Sequence, residues 1–142
     1  MDEDIILYFT AQVIISMLFM HSKNILLGDI SSKNLLMTKE NIIKLGDYGI
    51  IKDLKTNWKW DFLKPFQDLY CISPEVCSGE TYGTKADIWA LGCTLYEMVM
   101  LKRPFDKDNV NALFNNIRNE VKQRKLIRYF EKYVISPQNR AP

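Results

Sequence analysis

The chain has 142 residues, enough for one domain that buries roughly 70% of its unfolded surface. Its formal net charge of +2 is too small to indicate binding to nucleic acid or to an anionic membrane. Three cysteines, Cys71, Cys77 and Cys93, lack both metal-ligand spacing and the even number typical of a disulfide framework. We therefore expect a reducing, cytoplasmic location, with association with the cytoskeleton or the nucleus left open.

The first predicted element is a helix over Glu3–His21. Its apolar run from Ile5 to Met20 raises the question of a signal peptide or a membrane span. An acidic start, polar residues within the run and a length short of a span argue against both. We therefore predict a soluble, mostly buried helix and no membrane partner.

Short strands are predicted next. Ile25–Leu27 is an apolar run, and two further runs, Leu35–Met37 and Ile42–Leu45, flank a polar stretch that is typical of a hairpin turn. Gly46 to Cys71 shows no sustained periodicity. A loop of that length inside a compact domain is usually functional or mobile.

A helix predicted over Lys85–Leu101 is the expected centre of the fold. It is apolar on every side and short for a membrane span, which predicts a buried core helix. Asp87 in its first turn suits the helix dipole, but a buried carboxylate needs hydrogen-bond donors from elsewhere. A short helix should begin at Ser73, and two more are predicted over Val110–Ile117 and Leu126–Val134. The expected fold class is mainly α (α+β), with a small β-hairpin.

Four short motifs follow one another along the chain: Asp29-x4-Asn34, Asp47-Tyr48-Gly49, Ser73-Pro74-Glu75 and Asp87-Ile88-Trp89. This order resembles the large, C-terminal lobe of a protein kinase, in which a catalytic loop precedes D-F-G and A-P-E motifs. Ser136–Arg140 resembles the family's D-P-x-x-R segment. The stretches N-I-I-K-L-G-D-Y-G-I and K-A-D-I-W-A-L-G-C-T-L-Y-E are most similar to NIMA-related (NEK) serine/threonine kinases.

The resemblance implies one kinase-like domain over residues 1–142. Its parts would be a catalytic loop at 27–34, an activation segment at 47–75 and the central helix at 85–101. The implied activity is transfer of a phosphoryl group from ATP, with Mg²⁺, to a serine or threonine hydroxyl of a protein substrate.

The resemblance also implies roles for individual residues. Asp29 would be the catalytic base for the substrate hydroxyl. Asn34 and Asp47 would be the Mg²⁺ ligands, because Mg²⁺ takes hard oxygen ligands alongside phosphates, and the hairpin between them would bring the two close. Leu36 would lie beneath the nucleotide base.

Three further residues would support the fold. Asp87 would accept hydrogen bonds from the backbone N–H groups of Leu27 and Gly28. Glu75 would pair with Arg140 and brace the activation segment.

Several residues depart from the family pattern. The family's His-Arg before the catalytic Asp is Leu27-Gly28 here, which removes the guanidinium that pairs with an activation-loop phosphate, although Thr56 remains a nominal site. The lysine of serine/threonine kinases is replaced by Ser31. Lys33 stands where tyrosine kinases place a basic residue, so it either takes over a catalytic role or is a solvated lysine.

Asp68 replaces the family's threonine before Ser73-Pro74-Glu75. We expect it to place a like charge opposite Asp29.

The sequence contains no G-x-G-x-x-G loop and no V-A-I-K lysine, so the small lobe that covers ATP is expected to be absent. The remaining site would be open to water, and we expect the chain alone not to be a competent kinase. Two hypotheses stay open. One is a fragment of a NIMA-related kinase, and the other is a pseudokinase-like scaffold that presents an apolar surface to a protein partner.

Overall fold

Helices make up most of the computed structural model, which describes residues 3–46, 52–53, 68–80 and 83–120. The helices are α1 (Glu3–Ser22), α2 (Pro74–Cys77), α3 (Thr84–Met100) and α4 (Val110–Glu120), and the strands are β1 (Ile25–Leu26), β2 (Leu35–Met37), β3 (Ile43–Leu45) and β4 (Lys52–Asp53). Two 3-10 turns lie at Ser32–Asn34 and Leu69–Cys71. The predicted mainly helical class with a small hairpin is confirmed.

The hairpin consists of β2 and β3 in antiparallel register, with Leu35 opposite Leu45 and Met37 opposite Ile43. Its turn is closed by the Thr38 hydroxyl, which accepts the backbone N–H of Ile42 at 3.2 Å. Strand β4, paired with β1, was not predicted, because two residues are too few to show the alternation that marks a strand.

One face of α1 packs against the rest of the molecule. Its buried positions are spaced by three and four residues, as a single helical stripe requires: Ile6, Thr10, Val13 and Met17. Large apolar side chains on the other faces are exposed, among them Ile15 and Phe19. The prediction of a mostly buried helix is therefore wrong. Because α1 is apolar on all sides, its sequence did not reveal that only one stripe is covered.

The stretch Asp4–Ser22 of α1 is also long and apolar enough to cross a membrane, by length and composition alone. The expectation that this helix is too short to span a membrane is therefore wrong. In the fold, 28% of its apolar window is buried. A core helix of a soluble protein meets the same criterion of length and hydropathy.

Helix α3 begins one residue before its predicted start and ends one residue before its predicted end. Leu101 follows it in the left-handed conformation, with φ of 53°, and donates its N–H to the Glu97 carbonyl at 2.8 Å. The run Ala90–Leu95 is buried. Ile88 is 55% exposed, so α3 is not buried on every side as predicted.

Two clusters of buried side chains meet along α3. The first joins α1 to α3 and to the loop after β1 through Val13, Met17, Ile30, Ala90 and Leu91. The second joins α2, α3 and α4 through Ile72, Val76, Cys77, Cys93, Phe105, Leu113, Phe114 and Ile117. Helix α4 confirms the one predicted over Val110–Ile117 and extends to Glu120, whereas the helix predicted over Leu126–Val134 lies outside the described residues.

Candidate active site

Asp87 joins α3 to the loop of residues 27–34. Its carboxylate is 1% exposed and accepts the backbone N–H of Gly28 at 2.8 Å and that of Leu27 at 3.0 Å. These are the two donors expected from the sequence. Nε2 of His21, at the end of α1, lies 2.7 Å from Oδ2 of Asp87. Three elements that are distant in sequence therefore meet at one buried carboxylate.

The contact of His21 was missed by the sequence analysis. His21 is the chain's single histidine, and a single histidine forms no spacing pattern. Its position in the last turn of an apolar helix, where a basic residue suits the helix dipole, was the available signal.

The loop of residues 27–34 folds back on itself at Asn34. The Asn34 side-chain Nδ2 donates to the backbone carbonyl of Asp29 at 3.2 Å. This hydrogen bond fixes Asp29 and Asn34 relative to each other. The amide oxygen is the side-chain atom of Asn34 suited to a cation, because it carries free lone pairs whereas the NH2 group is a donor only.

The hairpin brings Gly46 next to Asn34. The Gly46 N–H donates to the Asn34 carbonyl at 2.6 Å. Asp47, the next residue and a candidate Mg²⁺ ligand, lies outside the described residues.

Leu36 crowds Gly46 from the neighbouring strand. A Cβ placed on Gly46 would meet Leu36 Cγ and Cδ1 at 3.1 Å and the Asn34 carbonyl oxygen at 3.2 Å. Leu36 itself is an exposed apolar side chain of β2. The close approach of the hairpin therefore favours glycine before Asp47, and no positive φ is involved.

Asp68 approaches Asp29 through its backbone. The Asp68 N–H lies 3.4 Å from Oδ1 of Asp29, and the Asp68 Oδ1 accepts the Tyr70 N–H at 3.3 Å, which caps the 3-10 turn. Its Oδ2 lies 3.3 Å from Nζ of Lys33. The expectation that a like charge would face Asp29 is thus corrected: an N–H group faces it, and the carboxylate turns to a lysine.

Ser31 is buried, and its hydroxyl has no hydrogen-bond partner among the described residues. Ser73 is also buried, and its hydroxyl likewise has no hydrogen-bond partner among the described residues. Ser73 lines a small pocket of about 30 Å³, together with Asp29, Asp68 and Asp87. Over residues 3–46, 52–53, 68–80 and 83–120, no group of three or more His, Cys, Asp or Glu side chains could hold a metal ion.

Glu75 lies in the first turn of α2, where its carbonyl accepts the N–H of Glu80 at 2.9 Å. Its predicted partner Arg140 lies outside the described residues, and so does Thr56.

The three cysteines are free, and two of them are buried. Burial raises the pKa of the Cys77 thiol to about 11. A hydrogen bond with Cys71, together with burial, raises the pKa of the Cys93 thiol. A neutral, buried thiol is a poor nucleophile, so neither Cys77 nor Cys93 is a candidate for covalent catalysis.

The comparison with protein families finds a match to the protein kinase domain over residues 1–140. Among curated proteins, Nek9 of Xenopus laevis is 41% identical over 107 residues, which is 75% of this chain and 11% of that protein. Nek8 of Danio rerio is 43% identical over 114 residues, or 80% of this chain and 16% of that protein. The chain matches nekl-2 of Caenorhabditis elegans at 39% identity, over 78% of its own length and 30% of that protein. All three are described as serine/threonine-protein kinases, and the chain spans less than a third of each.

Proposed function

The chain belongs to the protein kinase domain family and is similar to its NIMA-related members, and on this premise we propose that it forms the C-terminal lobe of a NIMA-related serine/threonine kinase. The proposed reaction of the whole protein is phosphoryl transfer from ATP to serine or threonine hydroxyls of protein substrates. A cytoplasmic location accords with the three free cysteines.

One observation supports this proposal most strongly. Asp87 holds Leu27 and Gly28 by their backbone N–H groups, and Asn34 holds the carbonyl of Asp29. The loop is therefore held to α3 just before Asp29 and is closed on itself by the contact between Asn34 and Asp29. A general base must be positioned within hydrogen-bond reach of its proton, and this arrangement supplies a positioned carboxylate.

We assign Mg²⁺ binding to Asn34 and Asp47. The Asn34 side chain presents a hard amide oxygen, and Gly46, hydrogen-bonded to Asn34, directly precedes the Asp47 carboxylate in the sequence. Two such side chains suit Mg²⁺, which usually completes its coordination with phosphates and waters. When bound, Mg²⁺ neutralises phosphate charge during transfer. Leu36, apolar and exposed on β2, is the residue that we assign to the adenine base.

Transfer by this site should be slow. Along the loop, Gly28 carries no charge, Ser31 is buried, and Lys33 faces Asp68, so none of the three offers a free cation to a phosphate. Residues 1–142 also contain no glycine-rich phosphate loop. We therefore propose that these residues alone do not turn over ATP.

A scaffold without catalysis is the second candidate. The pairing of Lys33 with Asp68 favours it, because this lysine is the one replacement in the loop for the missing cation. The exposed apolar faces of α1 would then serve a protein partner.

A fused protein distinguishes the two candidates. The small lobe of the Danio rerio Nek8 relative, joined ahead of Met1, supplies the glycine-rich loop, and transfer of labelled phosphate to a protein substrate is then measured. We expect transfer to serine or threonine that Asp29→Asn reduces by at least about 100-fold, the lower range for general-base catalysis. The exposed Asp106→Asn variant is the control and should leave the rate unchanged. No transfer by a fused protein that binds Mg²⁺-ATP would contradict the catalytic proposal and favour the scaffold.

A further inference from the structure

The Asp68 carboxylate is more buried than a solvated surface carboxylate, and each of its two oxygens has a partner within the fold. Its side chain is 7% exposed, whereas that of its partner Lys33 is 63% exposed. A carboxylate that loses this much hydration needs compensating donors. The Tyr70 N–H donates to Oδ1 of Asp68, and Lys33 Nζ forms an ion pair with Oδ2.

We propose that Asp68 is a positioning residue, which fixes the segment Asp68–Cys77 against loop 27–34 through two links. The carboxylate binds Lys33, and the backbone N–H binds the carboxylate of Asp29. The first link supports the second, because the side chain that binds Lys33 belongs to the residue whose N–H reaches Asp29. Asp29 is thereby oriented by a backbone dipole and not by a second charge.

The other side of this segment is anchored independently. The guanidinium of Arg103 stacks over the Tyr70 ring, with 3.8 Å between Arg103 Cζ and the ring centroid. Leu69, Tyr70 and Cys71 also pack against the buried cluster of α2, α3 and α4. The segment is therefore held to the core on one side and to loop 27–34 by Asp68 on the other.

This link needs no phosphate. Gly28 lacks the guanidinium that would pair with a phosphorylated activation segment, so that means of ordering the residues before Ser73 is missing from this chain. The Lys33–Asp68 pair joins the same two parts of the chain with unmodified side chains. The inference relies on the proposed function only in treating the position of Asp29 as important for catalysis.

The reactivity of the Cys71 thiol can be used to measure how often this segment opens, because Cys71 is half-buried and lies in the turn that Asp68 caps. The experiment measures the rate at which a maleimide labels Cys71 in the native protein, with the labelled peptide identified by mass spectrometry. Lys33→Ala and Asp68→Asn should each raise the rate about two- to fivefold, the local opening expected from losing a pair worth up to about 1 kcal/mol. Lys44→Ala, which removes an exposed lysine of β3, is the matched control and should not change the rate.

The charge-swapped variant Lys33→Asp/Asp68→Lys distinguishes an electrostatic contribution to the labelling rate from a contribution of side-chain packing. We expect it to return the labelling rate to within about twofold of the original chain, and 1 M salt should raise the rate of the original chain towards that of Lys33→Ala, because a half-exposed pair is screened. The salt measurement needs no variant, so it remains decisive if a substitution prevents folding. An unchanged rate in both Lys33→Ala and 1 M salt would overturn the proposal. The assay needs neither nucleotide nor turnover, so its outcome is independent of any failure to detect kinase activity.

Discussion

His21 and Asp87 are 66 positions apart in the sequence, and their side chains meet at 2.7 Å inside the fold. The same carboxylate accepts the N–H groups of Leu27 and Gly28. Asp87 therefore ties the end of α1, the start of loop 27–34 and the first turn of α3 into one unit. The position of Asp29, one residue after Gly28, depends on this unit.

Replacing Asp87 with alanine should cost about 3 kcal/mol or more of unfolding free energy, because hydrogen bonds to a charged group contribute roughly 1.5–3 kcal/mol and buried donors would be left unpaired. Asp87→Asn keeps one acceptor oxygen and should cost less. Urea unfolding measures both values. The exposed Asp106→Ala variant is the control, expected within about 0.5 kcal/mol of the original chain. A neutral Asp87→Ala variant would contradict the placement of this carboxylate in the core.

His21→Ala should be milder, at about 1–2 kcal/mol, because it removes one of the three contacts and leaves the two backbone donors paired. In the Asp87→Ala background the same substitution should cost almost nothing. A double-mutant cycle measured by urea unfolding gives the coupling energy, which we expect to be about 1–2 kcal/mol, the whole cost of the single His21→Ala substitution. Additive single effects would mean that the two side chains do not interact in solution.

Gly46→Ala should destabilise the hairpin by about 1–3 kcal/mol, the usual cost of overpacking, since the new methyl group would press on Leu36 and on the Asn34 carbonyl. Truncating Leu36 to alanine in the same chain should relieve part of this cost. Gly83→Ala is a matched control, because a Cβ at Gly83 meets nothing within 4 Å. The stability of the three variants is compared by thermal unfolding. Equal stability of the Gly46 and Gly83 variants would show that the hairpin approach is looser than described.

Stability should fall with alkaline pH through Cys77. Burial raises the folded pKa of this thiol from 9.0 to about 11, so well below pH 9 it is neutral in both the folded and unfolded states. Between these values the unfolded chain ionises first, which favours unfolding, and above about 11 the loss levels off. We expect the loss between pH 8.5 and 10.5 to be about 2 kcal/mol.

The measurement for Cys77 is urea unfolding at both pH values with a reductant present. Cys77→Ala serves as the reference, because it retains every other alkaline group, including Cys93. The difference between the two proteins should shrink at the higher pH. A difference that is independent of pH would show that Cys77 is solvated in the folded state.

The parts of the fold that follow from sequence are those with a local pattern. The hairpin of β2 and β3 and the start of α4 were predicted from apolar runs and turn residues. The exposed side of α1 was not predicted, because a helix that is apolar all round does not show which stripe is covered. Strand β4 has two residues, and its pairing with β1 is set by tertiary contact.

The candidate site shows the same division. Asp29, Asn34 and the backbone donors to Asp87 were identified through the family's motifs, which are contiguous in sequence. His21 and the orientation of Asp68 depend on contacts between distant segments. The sequence showed a carboxylate at position 68, but only the geometry shows that its N–H, and not its charge, faces Asp29.

The most direct test of the account is Mg²⁺-dependent ATP binding by the fused protein, read as a shift in thermal unfolding. ATP at 100 times its dissociation constant should stabilise the protein by about 2.7 kcal/mol. We predict that this shift requires Mg²⁺ and that Asn34→Ala and Asp47→Ala each remove it, with Asp106→Ala leaving it unchanged. A shift that persists without Mg²⁺, or in both the Asn34 and Asp47 variants, would contradict the assignment of these residues to a phosphoryl-transfer site.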